Sequence, residues 1–155
     1  MKIIRKISEN GIKRLIQEEG VVLRAYLDQV KVATIGIGST FWENGTRVKM
    51  TDKPITRERA IRLFHYTLES YVSAVNNAIT VQLTQNQFDA LVSLCYNIGT
   101  SGFSGSTLVR KINLKADSLT IQKWFLVWCN AGGKPILLPR RKREFSLYSS
   151  INLSK

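Results

Sequence analysis

The period of the apolar residues changes twice along the chain. Between residues 10 and 20, Ile12, Leu15 and Ile16 recur at helical spacing, with Asn10 in place to cap the helix and Gly20 to stop it. From Ala25 to Met50 the pattern turns β-rich. "AYLD", "VATIGIG" and "TRVKM" predict strands, and Asn44-Gly45 predicts a tight turn before the last of them. Beyond Pro54 helical spacing returns. Thr56 caps a helix carrying Ile61, Phe64, Leu68, Val72 and Val75, and Thr84 with Gln87 forms a capping box for "QFDALVSLCYNI", which Gly99 stops. Two more helices are expected, one near "STLVRKIN" and one with Ile121, Trp124, Phe125 and Trp128 on one face. Pro139 suits the first turn of a last helix, "PRRKREFSLYSS". The result is an α+β arrangement: a small N-terminal β-hairpin lobe at about residues 20–52, and a larger helical lobe at about 54–155 that includes the N-terminal helix. A cleft between two such lobes is the expected ligand site.

Composition adds one constraint. The 155 residues suffice for a core without staples, but 23 Lys and Arg against 11 Asp and Glu give a net charge of +12. That excess favours a polyanionic partner: nucleic acid, an anionic membrane or a bacterial envelope polymer. Cys95 and Cys129 lie in apolar helical stretches and read as two free, buried thiols; His65 is the only histidine, which leaves no material for a histidine-based triad or a metal site. The opening "MKIIRKISENGIKRL" is too polar for a signal peptide or membrane anchor, so synthesis in the cytosol is expected, with export needing outside help. "RRKR" at 140–143 reads as a solvated basic face rather than a nucleic-acid patch, Trp124 and Trp128 as helical-lobe core, and Gln87 as a cap.

The candidate chemistry lies in "QEEGVVLRAYLDQVKVATIGIGST", residues 17–40, where one short hairpin presents two carboxylates and a hydroxyl. Glu19 falls in the last turn of its helix, where the carbonyl dipole and burial beside Ile16 and Tyr26 would keep a carboxylic acid protonated. Asp28 ends a strand, where solvent and turn amides would keep it ionised. Thr34, on the returning strand, could face Asp28 and hold a water. An acid, a separate base and a positioned water match inverting glycoside hydrolysis, whose carboxyls stand roughly 6.5–9.5 Å apart.

Glu-Gly, an Asp further on, then Thr-Ile-Gly-x-Gly resembles the phage-type lysozymes, glycoside hydrolase family 24. The family's catalytic Glu, Asp and Thr correspond to Glu19, Asp28 and Thr34. "LTQNQFDALVSLCYNIGTSGFSGSTLVRKIN" is similar to the family's central helical signature, and "WCNAGGKPILLPRRKREFSLY" to its closing segment. The resemblance implies a lysozyme-like fold in a single domain and a muramidase acting on peptidoglycan. It implies no metal or organic cofactor, a monomer, and passage through a holin-type pore from the host cytoplasm to the wall. It gives substrate contact to Tyr26, Asn97, Gly99, Phe103, Ser106 and Arg141. Two positions depart from the pattern: Ser39 stands where the family commonly has His, and Lys31 where the hairpin turn commonly has Gly. On the same scaffold a lytic transglycosylase is the enzymatic alternative, and a non-catalytic basic wall-binding module the alternative of a different class.

Overall fold

The computed structural model describes residues 2–151. In chain order the elements are α1 (Glu9–Glu19), β1 (Val22–Leu27), β2 (Ala33–Gly36), α2 (Arg57–Ala78), α3 (Gln85–Ile98), α4 (Thr100–Ser104), α5 (Thr107–Asn113), α6 (Ser118–Leu126) and α7 (Leu138–Ser149). The α+β expectation holds, with two antiparallel strands as the sheet. The chain divides into two compact units, Lys13–Glu69 and the remainder. The first takes in more helix than the predicted β lobe. Its core of Ile35, Val48 and Leu63 needs α2, whose Leu63 and Tyr66 pack with Ala25, Ala33, Trp42 and Ile55.

Within that unit, "TRVKM" forms no strand. Asn44-Gly45 turns the chain as expected, with Gly45 at φ 84°, but only the bridge Phe41–Arg47 pairs across it. Asp52 prevents a longer ladder. Its Oδ2 accepts from the Lys49 amide at 2.8 Å and from Trp42 Nε1 at 2.9 Å, which folds the segment back after one bridge. Gly36 has φ 72°, and a Cβ there would stand 3.4 Å from that of Ala60, so strand and helix meet at a residue without a side chain.

The other unit is built around α3, in which every residue from Phe88 to Cys95 is buried. Thr84 and Gln87 form the predicted capping box, and Pro139 sits in the first turn of α7, against which α3 packs most extensively. Phe125 meets the rings of Phe145 and Tyr148 edge-on at 5.8 and 5.7 Å. The cap of α1 is Ser8, not Asn10: Ser8 Oγ accepts from the Gly11 amide at 3.0 Å and donates to buried Asp89. Asp89 also explains Gly11, where a Cβ would stand 2.7 Å from the carboxyl carbon.

Two sequence expectations fail near α6, which ends at Leu126. Trp124 and Trp128 are therefore half-buried rather than core; Lys123 lies over Trp124 at 5.1 Å, and Trp128 packs beside Gly102. Cys129 falls beyond the helix and is only half-buried, whereas Cys95 is fully buried and its thiol is pushed up to about 12 by desolvation. One thiol, Cys129, should thus react with an aromatic disulfide reagent in the native protein, and the second only on unfolding. Two native-reactive thiols, or none, would contradict this placement.

Candidate active site

The Glu19 carboxylate is placed by the way α1 stops. Gly20, at φ 75°, donates its amide to the Ile16 carbonyl at 2.8 Å and ends the helix in the left-handed conformation that glycine adopts without cost. The chain then enters β1 directly. Glu19 is half-buried at that junction.

The hairpin that follows is closed by a three-residue loop. Asp28 and Val32 close it through Asp28 N–H to Val32 C=O at 3.0 Å, and Lys31 donates to the Asp28 carbonyl at 3.0 Å. Lys31 occupies φ 63°, the position at which such a loop usually carries glycine. The lysine therefore does not change the turn type; the chain tolerates about 1 kcal/mol of left-handed backbone instead. What offsets it is the Asp28 carboxylate, whose Oδ1 accepts from the amides of Val30 and Val32, both at 2.9 Å. The same two bonds fix the direction of the Asp28 side chain.

Register then decides which residues share a face. Tyr26 pairs with Thr34 and Leu27 with Ala33, so Asp28 stands opposite Val32. Cross-strand partners point to one side of a sheet, as do residues two apart. Tyr26, Asp28, Val32 and Thr34 therefore share a face, with Asp28 and Thr34 diagonal neighbours rather than a direct pair. Thr34 is only 3% exposed, and its Oγ1 donates to the Val32 carbonyl at 2.9 Å, so towards anything else the hydroxyl is an acceptor. Ser39 is fully buried and donates to Thr67 Oγ1 at 2.7 Å, while Thr67 donates to the Leu63 carbonyl. That chain of hydroxyls ties the end of the hairpin to α2 where the family commonly has His.

Glu19 also stands within electrostatic reach of Tyr26. The Tyr26 phenol is held above its ordinary value first by burial, then by the Asp28 carboxylate, then by that of Glu19. A phenol can feel both only if it stands near both. Tyr26 remains a neutral hydroxyl across the physiological range, half-buried beside two carboxyl groups.

The residues expected to contact substrate from the helical unit divide. Asn97 and Gly99 are half-exposed at the end of α3, and Gly99, at φ 95°, separates α3 from α4. Phe103 and Arg141 are fully buried, and Ser106 is nearly so. Ser106 caps α5 by accepting from the Val109 amide at 3.1 Å and donates to the Phe103 carbonyl at 2.7 Å. Direct substrate contact by Phe103, Ser106 or Arg141 is therefore corrected to a structural role. Arg141 Nη2 instead donates to Asn97 Oδ1 at 2.6 Å, fixing the orientation of that exposed amide.

The "RRKR" run is corrected in the same way. Lys142 and Arg143 are exposed, but Arg140 and Arg141 turn inward onto buried Glu144, at 3.0 and 2.9 Å. Ser93 Oγ also donates to Glu144. Burial pushes the Glu144 carboxyl above its usual value, against the two guanidinium charges and the hydrogen bonds that pull it down. Removing one partner of such a group leaves an uncompensated buried charge, at about 3–5 kcal/mol. Sequence reading missed Glu144, although Arg at three and four residues before a Glu is the spacing of helical ion pairs. Among the described residues, no cluster of His, Cys, Asp and Glu could hold a metal ion.

The chain is similar to known proteins along nearly its whole length. Residues 16–144 match the phage lysozyme family. The endolysin of Salmonella phage P22 is 44% identical over 146 residues, covering 94% of this chain and 99% of that one. The solved endolysin from Escherichia coli O157:H7 phage FAHEc1 superposes with a TM-score of 0.86 at 33% identity over the whole of both chains. The muramidase domain of SpmX from Asticaccaulis excentricus does so with a TM-score of 0.79 at 34% identity, covering 95% of this chain and 99% of that one. The chain belongs to the phage lysozyme family. It is a glycoside hydrolase of the lysozyme class.

The convergence on Tyr26 is measurable. Neutralising either carboxylate, by Asp28→Asn or Glu19→Gln, should lower the pH at which Tyr26 ionises, followed by NMR of ring-labelled tyrosine, with the larger drop for Asp28→Asn. A Tyr26 titration unmoved by Glu19→Gln would separate Glu19 from this face.

Proposed function

We infer that the protein is a phage endolysin, a muramidase that hydrolyses the β-1,4 bond between N-acetylmuramic acid and N-acetylglucosamine in bacterial peptidoglycan. The observation that carries the catalytic assignment is the hairpin register, which sets Tyr26, Asp28 and Thr34 on one face, with Glu19 within electrostatic reach of Tyr26.

Glu19 is the general acid that protonates the leaving glycosidic oxygen. Asp28 is the base. Its Oδ1 is engaged by two turn amides, and Oδ2 takes the water. Thr34 donates its own hydrogen to Val32, so the water donates to Thr34 Oγ1 as well as to Asp28. A water that has given both hydrogens away presents a lone pair to the anomeric carbon, and Asp28 receives its proton as the bond forms. The 3% exposure of Thr34 suits contact with a single water better than contact with sugar. On the hairpin, Tyr26 contacts the glycan; in the helical unit, Asn97 and Gly99 are the accessible candidates for glycan contact, and Arg141 positions Asn97.

The working unit is one lysozyme-like domain acting as a monomer without a cofactor. The net +12 suits an anionic envelope, and the kinship with endolysins favours that partner over a specific nucleic acid. Among the described residues no helix is long and apolar enough to cross a membrane; the route proposed is release from the host cytoplasm through a holin-type pore.

Digestion of purified peptidoglycan, with analysis of the released ends, tests the reading. Reducing ends are expected. Anhydro ends would make the protein a transglycosylase, and no release a binding module. Glu19→Gln should fold normally and lose activity by several orders of magnitude, because the amide keeps the shape but has no proton to give. Wall clearing near that of the parent protein would overturn the acid assignment.

A further inference from the structure

Two segments of the helical unit are both basic and apolar at the surface. Residues 2–7 contain Lys2, Arg5 and Lys6, residues 110–116 contain Arg110, Lys111 and Lys115, and neither segment has an Asp or Glu. Each also exposes large aliphatic side chains: Ile3 is 65%, Ile4 68% and Leu114 75% exposed.

The fold puts the two segments on one helix end. Lys2 Nζ donates to the carbonyls of Asn76 and Ile79, in and just after the last turn of α2. Asn113 donates to the Ala78 carbonyl at 3.0 Å and accepts from the Thr80 amide at 2.8 Å. The N-terminal segment is held further by Ile3 N–H to Gln82 Oε1 at 2.7 Å and by a reciprocal pair of bonds between Arg5 and Asn76. Residues 2–5 are thus pinned along the C-terminal end of α2, next to the end of α5. Their isoleucines stay in solvent although the backbone is fixed.

We propose that this face, with Ile3, Ile4 and Leu114 among lysines, docks the protein on an anionic lipid bilayer. Soluble polyanions would account for the cations alone. The aliphatic tips add nothing to binding a hydrated polymer, but they can enter the interfacial layer of a bilayer while Lys6, Lys111 and Lys115 meet phosphate headgroups. Charge complementarity also disfavours a second copy of the chain, because the same basic face would oppose itself. The face shares no residue with the hairpin, so docking and glycan cleavage are separable by mutation.

The experiment is co-sedimentation with vesicles of phosphatidylcholine alone or mixed with phosphatidylglycerol, using the intact chain. Binding is expected to the anionic vesicles only and to weaken with salt. Ile3→Asn, Ile4→Asn and Leu114→Asn combined should lower the partition coefficient at least about tenfold. Lys6→Gln with Lys115→Asn should lower it severalfold; Asn suits the positive φ of Lys115, 57°. Both variants should keep the parent's melting temperature and its cleavage of soluble glycan. No binding to anionic vesicles at low salt would overturn the proposal. So would vesicle binding that the apolar variant leaves unchanged, which would mean simple polyanion attraction. A dimer by sedimentation equilibrium that the apolar variant dissociates would instead make the face a self-association surface.

Discussion

The Asp28 carboxylate is the constraint on which the active hairpin depends. By accepting from the Val30 and Val32 amides it closes a loop that Lys31 would otherwise disfavour, and in doing so sets the register Tyr26–Thr34. A slip of one residue would turn Thr34 to the opposite face, since side chains alternate along a strand. The bonds that hold the turn thus also decide which residues stand together, and one carboxylate oxygen does this while the other remains for chemistry. Structure and proposed catalysis share a single side chain, so the two roles cannot be separated by simple removal of Asp28.

The helical unit meets its polar demands differently. Glu144 is buried with Arg140, Arg141 and Ser93 around it, and the same Arg141 holds Asn97 at the surface. A buried ion group of this kind adds little net stability compared with an apolar replacement, yet it is costly to break. Its effect here is orientation: an exposed amide at the end of α3 is fixed by a guanidinium with no freedom of its own. Burial of two of the cations also means that the net charge of +12 overstates what the surface presents from this run.

Helices were the most legible part of the sequence. The capping box of α3, the Thr56 and Pro139 starts and the Gly20 and Gly99 stops all appear, because caps act through bonds within a few residues. Distant partners produced the failures. Ser8 replaces Asn10 as the cap of α1 because Asp89 fixes it; "TRVKM" loses its strand to Asp52; and the basic run turns inward because Glu144 and Ser93 await it. Glu19, Asp28 and Thr34 were singled out by a motif that resembles a family's, and the hairpin register sets Asp28 and Thr34 on one face. Phe103, Ser106 and Arg141 matched family positions, but sequence position carries no information on whether a side chain reaches solvent.

In the proposed mechanism Asp28 and Thr34 hold one water for Glu19 to work against. Steady-state hydrolysis of a soluble peptidoglycan fragment by Asp28→Asn, Thr34→Ala and the double variant measures that directly. Asp28→Asn keeps an oxygen that can accept the turn amides, so the hairpin is retained while the base is removed. If the two residues share one water, each single change removes most of the rate and the double change removes little more. Losses that simply add in free energy would show that the two side chains act independently, and would contradict the account.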